Sequence, residues 1–185
     1  PEIRGFEEEL AAVAGVRHAV ACSSGTAALH MALLALGVGE GDVVLTTPFS
    51  FVASSNVILM VGAVPVFVDI DPDTLCPSPE ELRRTIGALR RGEFRFPCGA
   101  SVPPDRLKAL LLVDVFGLPA PWDQYEALAR EEGLALLEDS CEALGSRAFG
   151  RACGSFGRAG AFAFYPNKQI TTGEGGAVVT DDDEV

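Results

Sequence analysis

The chain has 185 residues, enough for one well-cored domain, with 48% hydrophobic and 22% charged residues. Its formal charge of −12 argues against a nucleic-acid surface or an anionic membrane, although local backbone dipoles can still hold a phosphate. No apolar run is long enough to cross a bilayer, and the opening residues do not read as a signal peptide.

In chain order, Phe6–Val13 predicts a short amphipathic helix ending at Gly15, and Ala19–Cys22 a buried strand. Ala27–Leu36 is an almost wholly apolar helix stopped by Gly37. Val43–Thr46 is the next strand, Phe51–Val61 a helix stopped by Gly62, and Val66–Ile70 a strand. Pro79–Leu89 is a charged helix with Ser78 as its N-cap. Arg90–Asp105, broken by glycines and prolines, reads as a surface excursion within the domain. Ala109–Val113 is a strand, Trp122–Glu132 a helix, and Leu134–Leu137 a strand running into Glu138-Asp139. Ala161–Phe164 and Ala177–Val179 are short buried strands, with Pro166, Gly173, Gly175 and Gly176 breaking the chain between them. The chain opens at Pro1 without a methionine and closes on Thr-Asp-Asp-Asp-Glu-Val, a strand end passing into an acidic helix start. Both ends read as cut.

Five cysteines (Cys22, Cys76, Cys98, Cys141, Cys153) are odd in number and never spaced as C-x-x-C. With only His18 and His30 beside them, they predict neither zinc nor a disulfide framework. They fit small apolar thiols in a reduced, cytoplasmic protein.

The central strands are continuous apolar runs separated by helices, which predicts an α/β fold with a mostly parallel sheet covered on both faces. In such sheets ligands lie beyond the carboxyl ends of the strands. The segments following the strands should therefore line one site: 23–26, 47–51, 114–119, 139–142 and the loop carrying Lys168.

Each segment has an ordinary use and a chemical one. Lys168 is either a surface loop lysine or, in a half-apolar pocket, an amine that loses its proton readily and attacks carbonyls. Ser23-Ser24-Gly25-Thr26 is either a plain helix cap or a phosphate cradle, with Gly25 admitting the anion to the backbone. Asp139, just past a buried strand, either caps a turn or faces a cationic partner such as a protonated heterocycle nitrogen. Phe49 or Phe51 is either core or a ring that stacks on a planar ligand. A nucleophilic lysine, an aspartate for a pyridinium nitrogen, a phosphate-binding helix start and a stacking ring together are the parts that pyridoxal 5'-phosphate (PLP) chemistry requires.

The segments Ser-Ser-Gly-Thr-Ala-Ala-Leu (23–29), Pro-Val-Phe-Val-Asp-Ile-Asp (65–71), Asp-Val-Phe-Gly (114–117), Glu-Asp-Ser-Cys-Glu-Ala-Leu-Gly (138–145) and Phe-Tyr-Pro-Asn-Lys-Gln-Ile-Thr-Thr-Gly-Glu-Gly-Gly (164–176) resemble the DegT/DnrJ/StrS sugar aminotransferases, which are PLP-dependent enzymes of fold type I. The resemblance implies a three-layer sandwich, with residues 1–185 as part of the large PLP-binding domain. An N-terminal lead-in and a C-terminal small domain would be missing. It implies that Lys168 forms the internal aldimine and shuttles a proton, and that Asp139 faces the pyridine nitrogen. Gly25 and Thr26 would contact the phosphate, Phe51 would stack on the ring, and Glu142 would lie near the phenolic oxygen. It further implies a homodimer with sites at the subunit interface, an amino acid donor (glutamate or glutamine) and a nucleotide-linked keto-sugar acceptor, as in polysaccharide biosynthesis.

Two positions depart from the family pattern. Many members have glutamine or histidine where Glu142 stands, so with cofactor bound Glu142 is expected to be protonated, turned away or paired with a cation. Many also have a phosphate-binding serine where Ala163 stands, so the Ser24 or Thr26 hydroxyl is expected to supply that contact. The related sugar 3-dehydrases carry histidine at the lysine position, so Lys168 favours transamination. The alternatives are other PLP chemistry on the same scaffold, such as a sugar dehydratase-like elimination, or a non-catalytic, regulatory phosphate-binding module.

Overall fold

The computed structural model describes residues 1–96, 99 and 101–185; Pro97, Cys98 and Ala100, part of the predicted excursion, lie outside the described residues. The strands are β1 His18–Cys22, β2 Val43–Thr46, β3 Val64–Phe67, β4 Leu107–Val113, β5 Ala135–Asp139, β6 Arg147–Ala148, β7 Arg151–Ala152, β8 Ala159–Ala163 and β9 Gly176–Thr180. The helices are α1 Glu2–Ala14, α2 Gly25–Ala35, α3 Ala53–Met60, α4 Pro79–Arg90 and α5 Trp122–Glu132. Seven strands form one sheet in the order β1-β9-β8-β5-β4-β2-β3, while β6 and β7 make a separate hairpin. The sheet is parallel from β8 through β3, and β9 runs antiparallel to both of its neighbours.

The continuous apolar strands follow from coverage on both faces. Along β4, Leu110 and Leu112 pack into the core built with α4 and α5, and Ala109, Leu111 and Val113 into the core built with α2 and α3. The same alternation in β5 sends Leu136 to the first core and Leu137 to the second. Glu138 and Asp139, next in the strand, therefore point to opposite faces. Helix α1 covers the remaining part of the α4/α5 face through Leu10 and Ala14 against Phe162, Phe164 and Val179. Helix α4 begins as predicted: the Ser78 hydroxyl accepts from the Glu81 amide at 3.0 Å with Pro79 in the first turn, a cap contributing about 1 kcal/mol.

Several expectations shift. Strand β3 lies at 64–67 instead of 66–70, because its parallel register pairs Val64 through Phe67 with the four residues of β2. Ile70 instead bridges to Pro77. The excursion is not purely surface, since Phe94, Phe96 and Val102 pack against the α4/α5 core. The acidic residues 181–184 form a turn, not a helix start. Asp181 accepts from the Arg17 amide at 2.8 Å, and Asp183 lies 2.7 Å from His18 Nε2.

Candidate functional site

The carboxyl ends of the parallel strands and the first turn of α2 enclose a cavity of about 590 Å³. Its lining includes Gly25, Thr26, Phe51, Asp139, Glu142 and Lys168, so the structure brings all six sequence-derived candidates to one place.

Lys168 sits in the turn between β8 and β9. That loop is strapped to the end of β8: Phe164 donates its amide to the Gly175 carbonyl (2.9 Å), and its own carbonyl accepts from the Thr172 amide and the Thr171 hydroxyl. The Lys168 side chain is 14% exposed, with Nζ 3.2 Å from Glu142 Oε1. The other oxygen of Glu142 accepts from the Phe116 amide at 3.0 Å. Phe116 is in the left-handed region (φ 55°), and the following Gly117 (φ 79°) has no room for a side chain, since a Cβ there would lie 2.7 Å from the Glu142 carbonyl oxygen. The turn after β4 and the segment after β5 thus fix Glu142 and, through it, the lysine.

Asp139 is the last residue of β5, one place earlier than a position past the strand, and is 5% exposed. It accepts from the Ser54 hydroxyl at 2.7 Å and from the Cys141 amide at 3.2 Å. Among the described residues no cation pairs with this carboxylate. Burial and the neighbouring Asp139 carboxylate push the Cys141 thiol well above its ordinary range.

Gly25 opens α2, capped by the Ser24 hydroxyl, which accepts from the Ala27 amide at 3.1 Å. A side chain on Gly25 would place its Cβ 2.6 Å from Ala163 Cβ and 2.9 Å from Cys141 Sγ. A Cβ on Gly176 would lie 2.3 Å from the Ser24 carbonyl group. Packing against β8 and β9 therefore demands both glycines, in addition to the anion access read for Gly25 from the sequence. The amides of Gly25 and Thr26 lie in the first turn, where a helix leaves N–H groups without intrahelical partners.

Phe51 does not begin α3 as predicted. It precedes that helix in a loop, 74% exposed, on the cavity rim with Phe49 and Phe116, whose rings meet edge-on at 5.9 Å. Sequence reasoning missed Ser54, a buried hydroxyl on the inner side of α3. A polar residue in the first turn after a strand-to-helix loop was the available signal. It also missed the Phe116 amide, which sequence does not report.

The sequence model of the DegT/DnrJ/EryC1/StrS aminotransferase family matches residues 1–185. The chain is 40% identical over 183 residues to a UDP-N-acetyl-3-dehydro-alpha-D-glucosamine 3-aminotransferase of Acidithiobacillus ferrooxidans, covering 98% of this chain and 45% of that protein. It is 38% identical over 180 residues to a GDP-perosamine synthase of Caulobacter vibrioides, covering 97% and 44%. Among solved structures, a DegT DnrJ EryC1 StrS aminotransferase from Brucella abortus superposes with a TM-score of 0.89 at 39% identity, covering all of this chain and 47% of that one. The chain thus spans less than half the length of the relatives it matches.

Proposed function

The chain belongs to the DegT/DnrJ/EryC1/StrS aminotransferase family, and on that premise we propose that its protein transfers an amino group from glutamate or glutamine to a nucleotide-linked keto-sugar, with Lys168 as the catalytic amine. Enzymes of this family depend on PLP. Relatives named for UDP- and GDP-linked sugars support the substrate class.

The residues present fit the cofactor. The observation that carries the proposal is the buried Asp139 carboxylate, without a cationic partner among the described residues, in the same cavity as Lys168. A buried anion is stabilised by a cationic partner, and a protonated pyridine nitrogen is one of the right size. When bound, PLP supplies an electron sink for the carbanion formed at the amino acid or sugar carbon. Lys168 Nζ would hold the aldehyde end and carry the proton between carbon atoms. Asp139, oriented by the Ser54 hydroxyl, would keep the ring nitrogen protonated. The Gly25 and Thr26 amides would hold the phosphate, and Phe51 would cover the ring. Glu142, through the 3.2 Å contact it accepts from Lys168, would orient the amine.

Helices α2 and α3 contain no Asp, Glu, Lys or Arg, and expose Leu34, Leu59 and Met60 on their outer side. A second copy of the protein covering this layer and the aromatic rim would form a homodimer with the site near the interface. Among the described residues no helix is long and apolar enough to cross a membrane. A cytoplasmic location suits an enzyme that consumes nucleotide-linked sugars.

Borohydride reduction of the intact protein loaded with PLP should fix the cofactor on the peptide containing Lys168, and Lys168→Ala should yield no adduct. Incubation with glutamate or glutamine and a keto-sugar nucleotide should then give an amino sugar. No adduct at Lys168 would overturn the assignment of the lysine. An adduct accompanied by water or ammonia release in place of amino transfer would overturn the reaction.

A further inference from the structure

On the sheet face opposite the cavity, directly behind the strand ends, Asp114 and Glu138 form a fully buried pair of carboxyl groups. Asp114 Oδ1 accepts from the Ala120 amide at 3.0 Å and from the Trp122 indole at 2.7 Å, while Oδ2 meets the Ser140 hydroxyl at 2.7 Å. Glu138 Oε1 accepts from the Gly154 amide at 2.5 Å and lies 2.9 Å from the same Ser140 hydroxyl; Oε2 accepts from the Phe156 amide at 2.8 Å. The other titratable groups around them are Cys153, Cys76 and Tyr125, all held neutral by burial and the neighbouring carboxyls. Arg151 is turned outward over the Phe156 ring, 4.4 Å from its centroid, and pairs with Glu126.

The hydroxyl of Ser140 has one hydrogen and touches two carboxyl oxygens. If both carboxyls were ionised, one contact would set oxygen against oxygen with no hydrogen between them. Three of the four carboxyl oxygens accept an N–H; Asp114 Oδ2 is the exception among the described residues. Although Asp114, Glu138 and Cys153 are close enough together to suggest a metal, these N–H contacts already occupy the oxygens. We propose that Asp114 and Glu138 share a single proton along the line Asp114 Oδ2, Ser140 Oγ, Glu138 Oε1, and that this proton is a positioning element for the site on the other face.

The coupling runs through short stretches of chain. Ser140 lies between Asp139 and Cys141, and the Asp114 amide donates to the Asp139 carbonyl at 3.0 Å. Asp114 also opens the turn whose Phe116 amide holds Glu142. A second buried negative charge would push that turn away from β5. Burial raises both carboxyls, and Glu138, next to the Asp114 charge, is pushed up to about 8 from an ordinary 4.5. The folded protein therefore keeps a proton that the unfolded chain releases. Stability conferred by the pair is complete below about 4.5, falls as pH rises to about 8, and is level above that.

The test is urea unfolding of the intact protein across this window, comparing wild type, Asp114→Asn and Asp114→Ala. An asparagine keeps the Oδ1 acceptor and puts an N–H where the shared proton lies. Wild type should show a midpoint that falls with pH. Asp114→Asn should have a shallower slope, because the charge beside Glu138 is gone while its burial remains, and should cross above wild type at the alkaline end; Asp114→Ala should be lower at every pH. Infrared spectra at neutral pH should show a buried protonated carboxyl in wild type that is lost in Asp114→Asn. PLP affinity should decline at alkaline pH in wild type and not in Asp114→Asn; this arm alone rests on the function proposed above. A wild-type slope retained in Asp114→Asn, an Asp114→Asn that does not fold, or no protonated carboxyl in wild type would overturn the shared proton. Failure to bind PLP at any pH, with the unfolding and infrared results as expected, would overturn the function and uphold the proton.

Discussion

Two helical layers cover the same sheet and obey different rules. Helices α4 and α5 each bury one apolar stripe, Leu82, Ile86 and Leu89 in one and Trp122, Tyr125 and Leu128 in the other, and expose charged residues outward. Helices α2 and α3 carry no Asp, Glu, Lys or Arg, burying Leu29, Leu33, Val57 and Ile58 inward while Leu34, Leu59 and Met60 face out. The first layer is finished by solvent; the second has the composition of an internal one. Adjacent residues of β5 show the same contrast in charge. Glu138, on the α4/α5 side, has its oxygens filled by amides and a hydroxyl. Asp139, on the α2/α3 side, keeps a face toward the cavity. Both faces carry a packed core, and the α2/α3 face is the one left open to ligands, at the ends of its strands.

The sharpest way to break this comparison is a large truncation on the closed face. Leu128→Ala should cost about 2–5 kcal/mol in unfolding experiments while leaving PLP affinity of the folded protein unchanged. A loss of affinity without a loss of stability would erase the distinction. The converse variant, Asp139→Ala, should leave the unfolding midpoint nearly unchanged and weaken PLP binding by about 1.5–3 kcal/mol, read from absorbance titration. Thr26→Ala should cost about 1 kcal/mol of cofactor affinity. The Thr26 hydroxyl makes no hydrogen bond among the described residues, whereas Ser24 already serves as a cap, so Ser24→Ala should reduce stability more than affinity. The smallest effect on the monomer fold belongs to Leu59→Glu, within about 0.5 kcal/mol. Its signature, with the proposed homodimer formed through this layer, is a shift toward monomer in sedimentation. An unchanged oligomer would mean that the apolar outer layer serves something else.

Much of this organisation was legible in the sequence. Val43–Thr46 and Trp122–Glu132 match their predicted bounds because an apolar run between breakers, and a 3.6-residue stripe between Pro121 and Gly133, are local signals. The rule for parallel sheets by itself places Lys168, Asp139 and the α2 start at one edge of the sheet. What was not legible is long-range. The antiparallel run of β9 depends on Gly176 lying under the Ser24–Gly25 peptide, a contact between residues some 150 positions apart. Its place after a strand predicts Phe51 in a helix, but the structure puts it in the loop before α3. The role of Glu138 was hidden because it emerges only when the turns after β4 and β7 meet the end of β5.

The sheet order also sets a timetable for synthesis. β1 precedes β9 by more than 150 residues, yet β9 is its partner in the sheet, and among the described residues β1 pairs with no other strand. Until residues 176–180 have emerged, the nascent chain holds a lone edge and an α2 start with no floor beneath it. A pocket able to hold a cofactor therefore comes into being only when β9 slots between two strands that have been waiting.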